Sequence, residues 1–326
     1  MERYLDLWDG SKKDKSLLYC PNGNDHASIP YLVAYLDCGL TSSFEEVKKW
    51  PGTVLFSWSY LWQDIDWVCQ IPHKKVVIGG SAAKYLDAKK ELPNYPNVQF
   101  WFRDVDFPVT ETRIIPSYDV VIKSHPLVDF LKVYSGYGCN WGKCTFCTWT
   151  NLITEAHTQF DPKYIASIIL HANSFGKLAG LSAPTHTVNW LEKVEKYLPG
   201  NERRYWCYAN AHDNDWGKLR KVKEIFIGSE YFSDSVLQRI KKGVTAEKII
   251  GAIEDILKAG INVYSTIIED LYETEEELHE HLENKLRLLS YTAPPKLGHG
   301  KLWLGSCRLI SPNHYETDKG IYNENI

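Results

Sequence analysis

The stretch GYGCNWGKCTFCTWT, Gly136 to Thr150, holds three of the chain's eight cysteines, Cys139, Cys144 and Cys147, within nine positions. Thiolate is the preferred ligand of zinc and of iron-sulfur clusters, so three cysteines spaced C-x4-C-x2-C in a loop can meet at one metal centre. The spacing admits three readings. A structural zinc site needs a closed tetrahedral shell, yet the next cysteine, Cys207, lies sixty residues on, and His157 has no paired partner. A plant-type ferredoxin cluster starts with this spacing but needs a fourth cysteine. In the third reading, three cysteines leave one iron of a 4Fe-4S cluster open for a substrate-like ligand.

The rest of the chain sets the context for that loop. Its 326 residues fit one large barrel or two ordinary cores, and 44% hydrophobic with 24% charged residues is the composition of a globular protein. A net charge of -4 supplies no broad basic surface, so nucleic acid is not supported as a partner. The N-terminus MERYLDLWDGSKKDKS lacks the apolar run of a secretory signal, and no segment is long and apolar enough to span a membrane. A cytoplasmic location is therefore expected. Thiols stay reduced there, so a tight cysteine cluster suggests metal or catalytic chemistry. Cys20, Cys38, Cys69, Cys207 and Cys307 read as small buried hydrophobes.

Residues 15 to 110 alternate short β-rich runs, SLLYC, GTVLFSWS, KKVVIGG and NVQFWF, with helical or irregular pieces, which predicts a small parallel sheet. Three prolines and no helical period in 103 to 130 place a domain boundary there, with domains expected at 1–125 and 126–326. Beyond 131 a second alternation offers six strands: LKVYS, KLAGL, RYWCYAN, EIFIGS, INVYSTII and KLWLGSCRLI. Helices are predicted at 161–176, with Asp161 as N-cap and Pro162 in the first turn, and at 245–259, closed by Gly260. Six strands with intervening helices describe a parallel barrel or part of one.

With its three cysteines, and with an aromatic, Phe146, just before the third, the loop resembles the cluster loop of radical S-adenosylmethionine (SAM) enzymes. Four residues, Asn140 to Lys143, fill the first gap where the usual pattern has three. The segment IFIGSEYFSDSVLQRIKKGVTAEKIIGAIEDILKAGINVYSTII resembles the family's fourth and fifth barrel strands and the helices between them. The resemblance implies a 4Fe-4S cluster on Cys139, Cys144 and Cys147, SAM on its open iron, reductive cleavage to a 5'-deoxyadenosyl radical, and an external electron donor of the flavodoxin or ferredoxin type. It puts Phe146 and Glu230 beside SAM. GLSAPTH, Gly180 to His186, replaces the common Gly-Gly-Glu, so Ser182 is the expected substitute. IEDLYETEEEL keeps only Glu273 and Thr274 of another common loop, and Thr274 reads as a helix N-cap.

Ser59-Tyr60-Leu61 and Gly79-Gly80 each follow a predicted strand and resemble elements of cobalamin-binding Rossmann-like domains, which often precede a radical SAM barrel. No Asp-x-His-x-x-Gly motif is present to ligate cobalt. The expected architecture is thus α/β, an N-terminal Rossmann-like, cobalamin-binding-like domain followed by a partial (β/α)6 radical SAM barrel. The implied reaction is C-methylation of a small molecule or peptide if cobalamin binds, and otherwise a rearrangement, oxidation or group insertion. A metalloprotein with a structural zinc or cluster is the competing class. Trp141 and Trp149 flank the cysteines as candidate covers, Trp58, Trp62, Trp67 and Trp101 read as packing residues, and His186, His212 and Asp213 read as either proton donors at the barrel mouth or solvent-exposed loop positions.

Overall fold

The computed structural model describes residues 16–21, 29–36, 38–58, 64–80, 83, 86–87, 89–100, 114–147, 157–269, 271, 273–292, 300–311, 314–317 and 320–322. The chain divides into two compact units, residues 1–129 and 130–324.

The first unit is built on five short parallel strands, β1 (Leu17–Tyr19), β2 (Gly39–Thr41), β3 (Val54–Ser57), β4 (Val76–Gly79) and β5 (Val98–Phe100), in the order β2-β1-β3-β4-β5. Four of these coincide with apolar runs predicted from sequence. β2 does not, because Gly-Leu-Thr carries no apolar run and becomes a strand only by pairing with β1. The helices here are α1 (Ile29–Leu36), α2 (Phe44–Lys49), capped by the Ser43 side chain, and α3 (Tyr118–Ser124). α3 corrects the expectation that 103–130 lacks helix: its seven residues, about two turns, are too few for a period to show, and Tyr118 and Val121 bury its inner face. The core is aromatic, with the Trp67 ring edge-on to Tyr19 at 5.1 Å and to Phe56 at 5.5 Å. Trp58 and Trp67 are buried as expected, while Trp62 and Trp101 lie outside the described residues. Cys20, Cys38 and Cys207 are buried, but Cys69 is exposed, because the 3-10 turn Asp66–Gln70 turns Trp67 and Val68 inward and leaves Cys69 on its outer side. The side chain of Cys307 lies outside the described residues.

The second unit is a partial barrel. Six parallel strands, β6 (Phe130–Tyr134), β9 (Leu178–Ser182), β10 (Tyr205–Ala209), β11 (Val222–Glu230), β12 (Asn262–Glu269) and β13 (Leu302–Ser311), lie side by side in chain order, extended by antiparallel β14 (His314–Thr317) and β15 (Gly320–Tyr322). A small ladder, β7 (Gly136–Tyr137) with β8 (Thr158–Gln159), brackets the cysteine loop. The helices are α4 (Pro162–Ser174), α5 (Val188–Glu195), α6 (Asp234–Arg239), α7 (Ala246–Lys258) and α8 (Glu275–Thr292). Local chemistry sets their ends: Asp161, Thr187 and Thr245 accept from the first-turn amides of α4, α5 and α7, and Thr274 and Glu277 exchange bonds as a capping box at the start of α8. Strand alternation separates two faces. Val133, Leu181, Cys207, Ile225, Ile227 and Val263 are fully buried, whereas Trp206, Phe226 and Tyr264 stand on the other face with ring centroids 5.0 and 5.1 Å apart. Among the described residues no helix is long and apolar enough to cross a membrane.

At the N-terminal ends of β10 and β11 the buried Glu195 carboxylate accepts from the Tyr205 hydroxyl at 3.0 Å and from the amides of Arg220, Lys221 and Val222 at 2.7, 2.8 and 3.1 Å. It stitches α5 to the start of β11. Glu195→Ala leaves three amides and a hydroxyl without an acceptor, and is expected to cost roughly 3–5 kcal/mol, read as a Tm lower by about 10 °C in thermal unfolding.

Candidate active site

The cysteine loop follows the first barrel strand, so it stands at the carboxyl end of the parallel sheet, where barrel chemistry is built. Its entry is pinned by Ser135, whose amide donates to the Ser182 carbonyl at 3.4 Å and whose carbonyl accepts from Phe160 at 3.0 Å. Within the loop Cys144 and Phe146 are buried, while Cys139 and Cys147 are half-buried. The Thr145 amide donates to the Ile240 carbonyl at 3.0 Å, which ties the loop to the end of α6.

Opposite the loop, β11 ends in a bulge. Its register with β12 slips between Gly228 and Glu230, and Glu230 takes a left-handed φ of 63°. That conformation costs a non-glycine residue about 1 kcal/mol, and bulges of this kind turn a side chain toward a site. The turned carboxylate meets the Lys242 ammonium at 2.8 Å, and both side chains are largely buried. The ammonium also lies 6.0 Å from the Phe146 ring centroid. Burial works against the Lys242 charge, but the Glu230 carboxylate and the Cys144 and Cys147 sulfurs outweigh it and raise its pKa. The Cys144 thiol is pushed up to about 12 by burial first, with Lys242 opposing and Glu230, Cys147 and Cys139 adding to the rise.

The structure therefore gathers Cys144, Cys147, Phe146 and Glu230 around Lys242, a residue that sequence reading missed. Lys242 sits in a run of polar residues after α6, where a solvent-facing lysine is the ordinary expectation, and only the bulge at Glu230 brings it a partner. Ser182 ends β9, two strands from β11, level with Tyr134 in the sheet. Asn210, also missed, donates to Asn140 at 2.7 Å and to Thr185 at 3.2 Å, joining the cysteine loop to the loop after β9.

The three polar candidates at the mouth resolve differently. His186 is fully buried; its Nδ1–H donates to the Tyr208 carbonyl at 2.8 Å and its Nε2 accepts from the Ser135 hydroxyl at 2.7 Å. It is a neutral internal brace, not a mouth residue, because the turn after β9 folds it back under the loop. Asp213 accepts from the Val188 amide at 3.0 Å and so caps α5. His212 stacks on Trp141 with centroids 5.0 Å apart. Burial lowers the His186 pKa to about 4, with the Tyr208 bond opposing and His157 adding. A folded-state value below the unfolded 6.5 means that its contribution is complete above about pH 6.5 and is lost as pH falls toward 4. The loss expected is roughly 3 kcal/mol. Thermal unfolding across that window should show a falling Tm, with a shallower slope in His186→Gln; His281, which burial also holds at about 4, contributes in the same window.

In the first unit, Gly79 ends β4 and Gly80 follows it. Gly80 has φ 107°, and a Cβ there would stand 2.5 Å from the Trp58 carbonyl oxygen, so glycine is required by a close approach of the chain to itself. Ser59 lies outside the described residues, as does Trp149.

Residues 133–284 match the Radical SAM superfamily. The matched stretch, from β6 to α8, is a radical SAM domain. Among solved structures the chain is similar to the apo, selenomethionine-labelled form of "Cobalamin-dependent S-adenosylmethionine radical enzyme OxsB", at 16% identity and a TM-score of 0.63, covering 86% of this chain and 52% of that one. It is likewise similar to the same enzyme with aqua-cobalamin and S-adenosylmethionine bound, at 15% identity and a TM-score of 0.64, over the same shares. At such identities the likeness is one of fold, and the chain spans about half the length of those structures. No curated protein sequence matches.

The radical SAM loop fits a cluster by its donor set: three uncrosslinked cysteines in one loop, close enough for Cys139 and Cys147 to act on the Cys144 thiol, with a cation beside them. Among the described residues no three His, Cys, Asp or Glu side chains close around one point.

Proposed function

We propose that this chain is a radical SAM enzyme in which Cys139, Cys144 and Cys147 hold a 4Fe-4S cluster and SAM takes the open iron. The observation that carries this reading is the buried Glu230–Lys242 pair set against the cysteine loop within a radical SAM domain. Bound there, the cluster would supply the electron that cleaves SAM to methionine and a 5'-deoxyadenosyl radical. The chain's own residues bind and orient. Lys242 offers its ammonium to the carboxylate of SAM, Glu230 accepts from the ribose hydroxyls, and Phe146 keeps water from the space beside them. The two side chains of this ion pair are already desolvated, so neither incurs that cost again on taking SAM as its partner. Ser182, at the rim of β9, is assigned to the amino group.

The reaction we assign is cobalamin-dependent methylation of an unactivated carbon in a small molecule or peptide, with the electron supplied by a flavodoxin or ferredoxin type donor. Support for cobalamin is the strand order β2-β1-β3-β4-β5, whose switch point between β1 and β3 is where doubly wound sheets take nucleotide-like ligands. Gly80 adds nothing to this, since its missing side chain makes room for Trp58. The radical reaction without cobalamin is the second reading, and the self-contact of Gly80 favours it.

Anaerobic reconstitution with iron and sulfide tests the first step. A brown protein that forms 5'-deoxyadenosine from SAM under reduction is expected, and a colourless protein holding one tight zinc overturns the reading. Titration with hydroxocobalamin separates the two reactions: a retained corrin spectrum supports methylation, and its absence leaves the cobalamin-free radical reaction.

A further inference from the structure

The first gap of the cysteine motif holds four residues, and the structure shows what they do. Asn140 accepts from Asn210 at 2.7 Å. The Trp141 indole N–H donates to the Lys241 carbonyl at 2.7 Å, across a hundred residues of sequence. Its ring lies on His212 at 5.0 Å with 30° between planes, and the Lys143 ammonium sits 4.8 Å from its centroid on the same rim. Gly243 completes the seat. It has φ 76°, and an added Cβ would land 2.0 Å from Trp141 Cζ2. The gap is therefore anchored through Asn140 and Trp141 to two separate loops, one after β10 and one after α6.

We propose that Trp141 is a positioning residue: clasped between His212 and the Lys241–Gly243 turn, it fixes the cysteine loop over the barrel mouth and closes the approach to Cys144. Lys241, which holds the indole, adjoins Lys242, which holds Glu230. The clasp thus ties the spacing of Cys139 and Cys144 to the carboxylate–lysine pair. It is a property of the polypeptide and holds whichever metal the cysteines bind.

The full-length chain, before metal is added, is alkylated with iodoacetamide and the rate at each cysteine is read by peptide mass spectrometry. In Trp141→Ala, Cys144 should react at least about tenfold faster, while Cys207, fully buried in β10, keeps its wild-type rate. Trp141→Phe, which retains a ring on His212 but not the N–H, should restore part of the protection. Gly243→Ala should speed Cys144 as Trp141→Ala does, and adding it to Trp141→Ala should speed it no further, because the indole it collides with is already gone. An unchanged Cys144 rate in Trp141→Ala overturns the proposal. So does an equal acceleration at Cys207, which would mean general loosening, or full additivity of the two substitutions. After anaerobic reconstitution, the brown colour of Trp141→Ala should fade several-fold faster in air than that of the wild type; an equal rate counts against the closing role. Failure to form any cluster would bear on the enzyme reading alone, since the alkylation rates do not depend on iron.

Discussion

Cys139→Ala, Cys144→Ala and Cys147→Ala are each expected to reduce 5'-deoxyadenosine formation to background and to abolish iron uptake on reconstitution, whereas Cys207→Ala retains activity within about twofold. The physical ground is the different situation of these sulfurs. Cys139 and Cys147 are half-buried in the loop, with Cys144 beneath them in reach of their fields, and a metal that displaces its proton gives the buried thiol a stable charged form. Two thiolates would leave a second iron exposed to solvent, and the cluster would not assemble. Cys207 is fully buried in β10, where burial and the Glu195 carboxylate push its thiol up, so it behaves as a small apolar side chain. Loss of iron in Cys207→Ala would instead indicate a closed four-cysteine site. Iron analysis and chromatographic assay of 5'-deoxyadenosine check both halves.

Lys242→Met should weaken SAM binding by roughly ten- to a hundredfold, because it removes the ammonium assigned to the SAM carboxylate, a charge-assisted bond worth about 1.5–3 kcal/mol. Glu230→Gln should be milder, since the amide still accepts hydrogen bonds while Lys242 loses its counter-charge. The double variant Glu230→Gln/Lys242→Met is expected to be less impaired than the sum of the two, as befits groups acting as one unit. Lys242→Arg should not rescue fully, because a planar guanidinium does not fill the place of an ammonium held between Glu230 and Phe146. The raised Lys242 pKa also sets a pH expectation. A group whose folded value exceeds its unfolded one contributes fully below the unfolded value, about 10.4, and loses that contribution only as pH rises through the folded value. SAM affinity should therefore show no break from this pair between about pH 7 and 9. Equilibrium binding of SAM to reconstituted protein measures all of these, and wild-type affinity in Lys242→Met would remove the lysine from the site.

Much of the barrel was legible because its signals are local. Apolar runs marked all six parallel strands, Asp161 and Thr274 announced helix starts, and the three cysteines stood out within nine positions. Glu230 was legible too, through the segment around it. What escaped lay in pairings between distant parts of the chain. β2 is a strand because β1 lies beside it, and Cys69 is outside because Trp67 and Val68 are inside.

The same division runs through the site. The amino-acid sequence by itself determined the alternation of six barrel strands with helices, the gathering of three cysteines in one loop and the carboxylate at the end of β11, all properties set within a turn or a strand of their own residues. Tertiary structure alone decided that His186 is a buried brace, that Lys242 folds back onto Glu230, and that Trp141 reaches Lys241 across a hundred residues. Strand order brings those groups together, a left-handed bulge aims one of them, and the bare Cα of Gly243 leaves the space that an indole fills.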